Sequence, residues 1–336
     1  MESNDAVHVV LAVYDPKGVY SSYAGVVMTS IFEHTKSAIL VHILHDDTLT
    51  EENRSLFNET AAAFGQKTEF HDVLPFMDRI GDDVVELTKD WSLGALFRLF
   101  IPDILSLEKV IYLDCDIVVN MDIKELWDIP LGDRSLAGAI DYGVKERISF
   151  FSLQALRCRL IGCEWRTYIN SGVLVMNLSK IRVTHSLVEE SSAWFKRYGH
   201  CADFPDQDLI NSCFYKDIKI IDEKFNSGLC WGDLSGRILH AIANTKPWVG
   251  MVGTDLERLY WKTYLKTPWG RSARDVIDLM VYAVRECQYL HRRTSQCYGK
   301  IFHRLRMDIF QNGVQKILQL LLKDLYHKMK RGMTGG

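Results

Sequence analysis

The apolar positions of this chain fall into short runs at two spacings, and their alternation sets the expected fold. Val7 to Val13 (VHVVLAV) is a nearly continuous apolar run rich in valine, which reads as a buried strand. It ends at Tyr14-Asp15-Pro16-Lys17-Gly18, a turn by composition. Tyr23 to His34 has helical spacing, Ile39 to Leu44 is a second strand, Glu51 to Phe64 a second helix and Thr68 to Val73 a third, shorter strand. Thr50 is placed to cap the second helix, with Asn53 where a capping box would carry an acid. Strand and helix alternating in this way predict βαβ units and a mainly parallel sheet, with ligands at the carboxyl ends of its strands.

The organising stretch is Lys109 to Asn120, KVIYLDCDIVVN, which reads as one buried strand interrupted by two acids. Spaced i and i+2 on an extended backbone, Asp114 and Asp116 would point to the same side, while Cys115 would point away and carries no chemistry of its own. Two desolvated carboxylates call for a counter-ion, and oxygen ligands favour Mn²⁺ or Mg²⁺. The competing reading of an Asp-x-Asp is a solvated turn or cap.

Further along, Ser92 to Leu105 is an apolar helix carrying one cation, Arg98, expected to be paired rather than to snorkel. Leu136 to Ile140 leads into Asp141, and Tyr168 to Leu178 is a strand opened by Asn170-Ser171-Gly172. Phe204 to Ile210 is a helix start with Asp206, Gln207 and Asp208 in its first turn, where acids often serve only the helix dipole. Ile218 to Ile221 is another strand, and Arg237 to His240 precedes Lys246-Pro247-Trp248.

Composition changes the picture only at the C-terminus. The 336 residues are 47% hydrophobic and 25% charged, ordinary for a globular protein. The net charge of −3 is unevenly spread: residues 271–331 hold 13 Lys/Arg against 5 Asp/Glu, or +8, leaving −11 elsewhere. Apolar positions recur at helical spacing there, so basic amphipathic helices are expected, either lying on an anionic membrane surface or packed on the domain with a solvated basic face. Trp261, Tyr264 and Trp269 read as a connector to them. The acidic body, without aromatic side chains interleaved among the basic ones, argues against nucleic acid. The start, MESNDAVHVV, lacks the basic and apolar regions of a signal peptide, and no uncharged apolar run is long enough to span a bilayer, so a cytoplasmic enzyme is expected. Eight cysteines without CxxC pairs are expected to be free thiols.

Taken together, several motifs in order over residues 7–270 resemble the family 8 retaining glycosyltransferases: LAVYD, Arg98, YLDCDIVV, Asp141 in AGAIDYG, YINSGVLVMNL, FPDQDLIN, KFN at 224–226, and His240 followed by KPW. The nearest likeness is to the bacterial lipopolysaccharide core glucosyl- and galactosyltransferases, through the PDQD helix start, Thr267-Pro268-Trp269, Arg274-Asp275 and the basic C-terminus. The resemblance implies a GT-A fold at 1–250 with a C-terminal connector and basic helical region at 251–336. It implies transfer of glucose or galactose from a UDP-sugar to a glycan or glycolipid acceptor at the inner membrane face. It makes Asp114, Asp116 and His240 the ligands of Mn²⁺, and places the Asp114-Cys115-Asp116 motif against the donor. Lys246 would hold the β-phosphate, Ala12 and Asp15 would line the uracil and ribose pocket, and Arg98, Asp141 and Asn170 would hold sugar hydroxyls with Asp206 alongside. Gln207 would lie beneath the anomeric carbon. An amide is a poor nucleophile, so front-side attack is expected, with double displacement through Asp206 or Asp141 as the alternative. The chain departs from the family pattern at Tyr14, where an acid is usual, at Ala241, where an aromatic is usual, and at Ala243, where a glycine is usual. Two other classes compete: a nucleotidyltransferase of nucleotide-sugar synthesis, disfavoured because Tyr14 to Tyr20 holds only one glycine, and a non-catalytic scaffold on the same fold.

Overall fold

The computed structural model describes residues 6–80, 84, 93–141, 153–242, 246–248 and 254–273. The described chain divides into two units, one of Met1–Leu229 with Asp233–His240 and the other of Cys230–Gly232 with Ala241–Gly336.

The first unit is built on β1 (Val7–Val13), β2 (Ile39–His45), β3 (Lys67–Asp72), β4 (Lys109–Leu113), β6 (Leu136–Ala139), β7 (Val173–Asn177) and β8 (Ile218–Ile221), in the order β3-β2-β1-β4-β7-β6-β8. Every pairing is parallel except those of β7, which runs antiparallel to both β4 and β6. A smaller ribbon pairs β5 (Ile117–Asn120) with β9 (Arg237–His240) in antiparallel fashion. The mainly parallel α/β sheet expected from the sequence is thus present.

One expectation is corrected in detail. The KVIYLDCDIVVN stretch is not one strand: β4 ends at Leu113, Cys115 and Asp116 form a turn, and β5 starts at Ile117 in the other sheet. Both halves are buried, so the apolar pattern carries no mark of the break. The two acids converge because the chain turns there, not because an extended backbone alternates.

The helix α1 (Tyr20–His34) is buried along most of its length and supports this turn from below. Its Ser30 hydroxyl accepts the Val119 N–H (2.9 Å) and the Thr35 hydroxyl accepts that of Ile123 (3.0 Å), which fixes β5 against it. Asp15, not a residue adjacent to the helix, caps α1: its carboxylate accepts the N–H groups of Tyr20 (2.7 Å) and Ser21 (3.0 Å) and the Ser21 hydroxyl (2.6 Å). The helix α2 (Glu51–Ala63) is capped by Thr50 as expected, and Asn53 turns its side chain to the same Asp15 carboxylate (3.3 Å). The apolar stretch around Arg98 forms short helical pieces, Gly94–Phe97, Arg98–Phe100 and Ile101–Ile104, with Pro102 in the last.

The six cysteines among the described residues are free. In the second unit, the expected connector contains a helix, Asp255–Tyr264, opened by a Thr254/Glu257 capping box and stacking Tyr260 against Trp248 (5.6 Å between rings). The expected basic helices beyond residue 273 lie outside the described residues, as do Ala243, the Arg274-Asp275 pair and residues 142–152.

Candidate active site

The turn after β4, the end of β9 and the residues before β7 meet at the carboxyl edge of β4. The turn after β4 brings Asp114 and Asp116 up, and β9 ends at His240, which lies opposite Ile117 in the ribbon. Their ligand atoms all lie within 4.8 Å of one another. His240 Nε2 is 3.1 Å from Asp116 Oδ1 and 3.9 Å from Asp114 Oδ2. Gly172, just before β7, makes room: a Cβ there would sit 2.3 Å from His240 Cε1 and 2.7 Å from Asp114 Oδ2. The glycine of the Asn-Ser-Gly run is therefore required by close approach rather than by its own backbone angle.

A chain of amides fixes the histidine. Asp141 Oδ2 can only accept when ionised, so the Asn170 Nδ2 (3.0 Å) faces it. That leaves Asn170 Oδ1 to accept from the Gly172 N–H (3.0 Å) and from Asn226 Nδ2 (2.9 Å). Asn226 Oδ1 then accepts Nδ1–H of His240 (2.9 Å), which turns Nε2 toward the two carboxylates. An amide behind a ligating imidazole orients the ring and sets its tautomer.

Arg98 is buried and neutralises part of the acid cluster. Its Nη2 donates to Asp114 Oδ1 (2.9 Å), Nη1 to the Ser171 carbonyl (2.8 Å) and hydroxyl (3.1 Å), and Nη1 lies 3.4 Å from Asp206 Oδ2. The guanidinium also rests on the Tyr112 ring, 4.5 Å from its centroid, and the Tyr112 hydroxyl donates to Asp114 Oδ1 (2.8 Å). Burial pushes the Asp206 carboxyl above the ordinary range even though Arg98 pulls it down. Arg98 against Asp114, Asp116 and Asp206 leaves two negative charges in a partly buried space. Two carboxylates, one imidazole and that excess of negative charge fit a divalent cation of the Mn²⁺ or Mg²⁺ kind.

At the start of α3 (Pro205–Cys213), Gln207 is held on both ends. Its Oε1 accepts the Ser171 N–H (3.1 Å), and its Nε2 donates to Asp141 Oδ2 and to the Tyr168 hydroxyl (3.2 Å each). Asp208 is structural: fully buried, it pairs with Arg157, accepts the Tyr168 hydroxyl (2.6 Å) and takes the N–H groups of Asp203 and Phe204. The first-turn acids thus do more than complement a dipole.

Arg98, Asp114, Asp116, Asp141, Asn170, Asp206, Gln207 and His240 are joined through these contacts. Cys115 is buried beneath the turn, donates its thiol to the Ala12 carbonyl (3.4 Å), and is pushed up in pKa by burial, so its side chain faces away as expected. Lys246 belongs to the second unit, where its Nζ donates to the Ala241 carbonyl (2.7 Å). Ser171, Tyr112, Tyr168 and the role of Asn226 were not legible as site features. A tyrosine two residues before an acid, and an asparagine in KFN without a cap to make, were the available signals.

The comparisons agree with this geometry. Residues 12–251 match the profile described as Glycosyl transferase family 8. A Haemophilus influenzae protein described as a glycosyltransferase is 28% identical over 62% of this chain and 60% of its own length. The lipopolysaccharide 1,3-galactosyltransferase of Salmonella typhimurium is 24% identical over 55% of this chain and 58% of its own. The matches therefore span about three fifths of these relatives. The solved galactosyltransferase LgtC, crystallised with donor and acceptor sugar analogs, superposes with a TM-score of 0.65 at 23% identity, covering 78% of this chain and 96% of that one, and shares its GT-A fold. With the family profile covering more than half its length, this chain belongs to glycosyl transferase family 8.

Proposed function

We propose that this glycosyltransferase moves glucose or galactose from a UDP-sugar to a glycan or glycolipid acceptor with retention, in synthesis of lipopolysaccharide or another cell-surface glycan. The observation carrying the reading is the meeting of Asp114, Asp116 and His240 beside an amide, Gln207, fixed by three hydrogen bonds. Asp114, Asp116 and His240 would hold Mn²⁺, or Mg²⁺ in its place, and the bound ion would supply Lewis-acid charge to the diphosphate leaving group.

The residues divide the remaining work. Arg98, already committed to Asp114, Asp206 and Ser171, keeps the acids in place and presents one Nη2 hydrogen toward a sugar hydroxyl. Asp141 and Asn170 orient the other hydroxyls, while the Asp114-Cys115-Asp116 turn meets the donor through its carboxylates and backbone. Ala12 lines the nucleoside pocket, and Asp15 shapes it indirectly, because α1 occupies both of its carboxylate oxygens. Lys246 meets the β-phosphate as a point charge.

Gln207 lies beneath the anomeric carbon and stabilises positive charge there with its carbonyl oxygen. Its amide is a weak nucleophile, and Asp206 is tied to Arg98 and Ser171, so we favour front-side attack in which the departing phosphate oxygen takes the acceptor proton. Gln207→Ala should then retain turnover that Asp116→Asn loses. Equal loss from both would favour a covalent glycosyl intermediate.

Among the described residues no helix is long and apolar enough to cross a membrane. We place the enzyme in the cytoplasm, with residues 271–331 holding it on the anionic inner face of the membrane. The decisive experiment is UDP release from a panel of UDP-sugars by the full chain, with Mn²⁺ and with chelator, in the absence of acceptor. Metal-dependent release from one sugar identifies the donor. No release and no UDP binding by calorimetry would overturn the reading.

A further inference from the structure

A second group of ligand-type side chains lies on the sheet away from the site just described. In the parallel register of β2 and β3, His42 stands opposite Glu69 and Leu44 opposite His71. Glu69 and His71 are two apart on one strand, so both share the face of His42. His42 Nδ1 is 3.0 Å from His71 Nε2 and 3.5 Å from Glu69 Oε2, and His71 Nε2 is 3.8 Å from the same oxygen.

We propose that His42, Glu69 and His71 form a second metal site, one that takes Zn²⁺. Three ligands with bonds of about 2.0–2.2 Å in a tetrahedral arrangement stand about 3.3–3.5 Å apart, and the three observed separations bracket that spacing. A purely hydrogen-bonded cluster accounts for them less well. With the His42 Nε2–H given to His8, the proton between His42 Nδ1 and His71 Nε2 belongs to His71, and Glu69 Oε2 then faces the His42 lone pair at 3.5 Å with no hydrogen between them.

The outer contact is also in place. The other ring nitrogen of His42, Nε2, lies 3.0 Å from His8 Nδ1, which can accept its N–H and so leave the Nδ1 lone pair for a cation. His42 is 2% exposed, whereas the Glu69 and His71 side chains are 54% and 21% exposed, giving an ion a path in and a water the fourth position. Two imidazoles and one carboxylate are a nitrogen-rich set that suits Zn²⁺ better than Mn²⁺.

The test uses the full chain, stripped with chelator and titrated with Zn²⁺ by calorimetry in an Asp116→Asn background, which disables the first cluster. One equivalent should remain there. Adding His71→Gln or, separately, Glu69→Gln should weaken that binding at least 100-fold, while Mn²⁺-dependent UDP release in the otherwise unaltered chain stays within twofold. Both positions are partly exposed on the edge strand β3, and unchanged circular dichroism would show that the variants fold. Cobalt substitution should give the intense visible absorption of a four-coordinate ion, lost in His71→Gln. Zinc stoichiometry unaffected by either substitution, or no zinc bound in the Asp116→Asn chain, would overturn the proposal.

Discussion

The two metal-type clusters, Asp114/Asp116/His240 and His42/Glu69/His71, are built from the same residue types in opposite proportion. The first has two carboxylates and one imidazole, an arginine in contact and a chain of amides behind it. The second has two imidazoles and one carboxylate, backed by a third imidazole. The first is made by a turn, a ribbon end and a glycine from distant parts of the chain. The second is made by two neighbouring strands in simple register. The difference teaches that donor chemistry follows from how much charge a place must carry. A site for an anionic substrate needs excess negative ligands and a cation to balance them, whereas a neutral histidine pair can hold an ion with little charge to spare.

The largest separation of the two should come from Asp116→Asn. It should abolish metal-dependent UDP release, a loss of 10³-fold or more in kcat/KM by order of magnitude, and leave zinc binding at His42, Glu69 and His71 intact. If zinc binding vanished too, there would be no independent second site.

Next is Gly172→Ala, which changes no ligand. Its methyl would meet His240 and Asp114 at 2.3–2.7 Å, so one of them must move. Manganese affinity should fall roughly 10²-fold, within the range for disturbed ligand shells, as read by the spin resonance signal of free Mn²⁺. Unchanged affinity would mean that the turn gives way freely.

Asn226→Leu should have a smaller effect, about 10-fold or more in metal affinity, because His240 loses the acceptor that sets its tautomer. Asn226→Asp should recover part of it, since a carboxylate still accepts from Nδ1–H. Equal losses in both variants would show that Asn226 serves packing only.

The last expectation concerns pH dependence and belongs to the second cluster without metal. His42 faces His8, His71 and Glu69, and its folded-state pKa lies far below the value of about 6.5 that it takes when unfolded. Below pH 6.5 the unfolded chain therefore binds a proton that the folded chain refuses, and stability falls as pH drops toward 3. The slope from this group is bounded at about 1.4 kcal/mol per pH unit. Urea unfolding of the chelator-treated protein should show it, and His42→Gln should flatten it. A variant with an unaltered slope would remove His42 from the account.

Much of this was legible in the sequence. The apolar runs fixed β1, β2, β3 and β8 to within a residue or two, since a buried strand and an amphipathic helix impose different periods on the chain. Thr50 was readable as a cap, Arg98 as paired, and Asp114 and Asp116 as acids that converge on one place, because a desolvated charge always requires a partner. His240 was recognisable only with the KPW that follows it.

What the sequence could not carry was adjacency between distant segments. The break between β4 and β5 left no mark, because both flanks are apolar and both are buried. The amide chain from Asp141 through Asn170 and Asn226 to His240 joins four separate segments, and nothing local in any of them names the next. His42 and His71 looked like strand residues until the parallel register of β2 and β3 set Nδ1 of one 3.0 Å from Nε2 of the other. Local periodicity encodes burial and so determines the elements. Which side chains share a cation depends on register, turns and the room left by a missing Cβ, and only tertiary packing decides those.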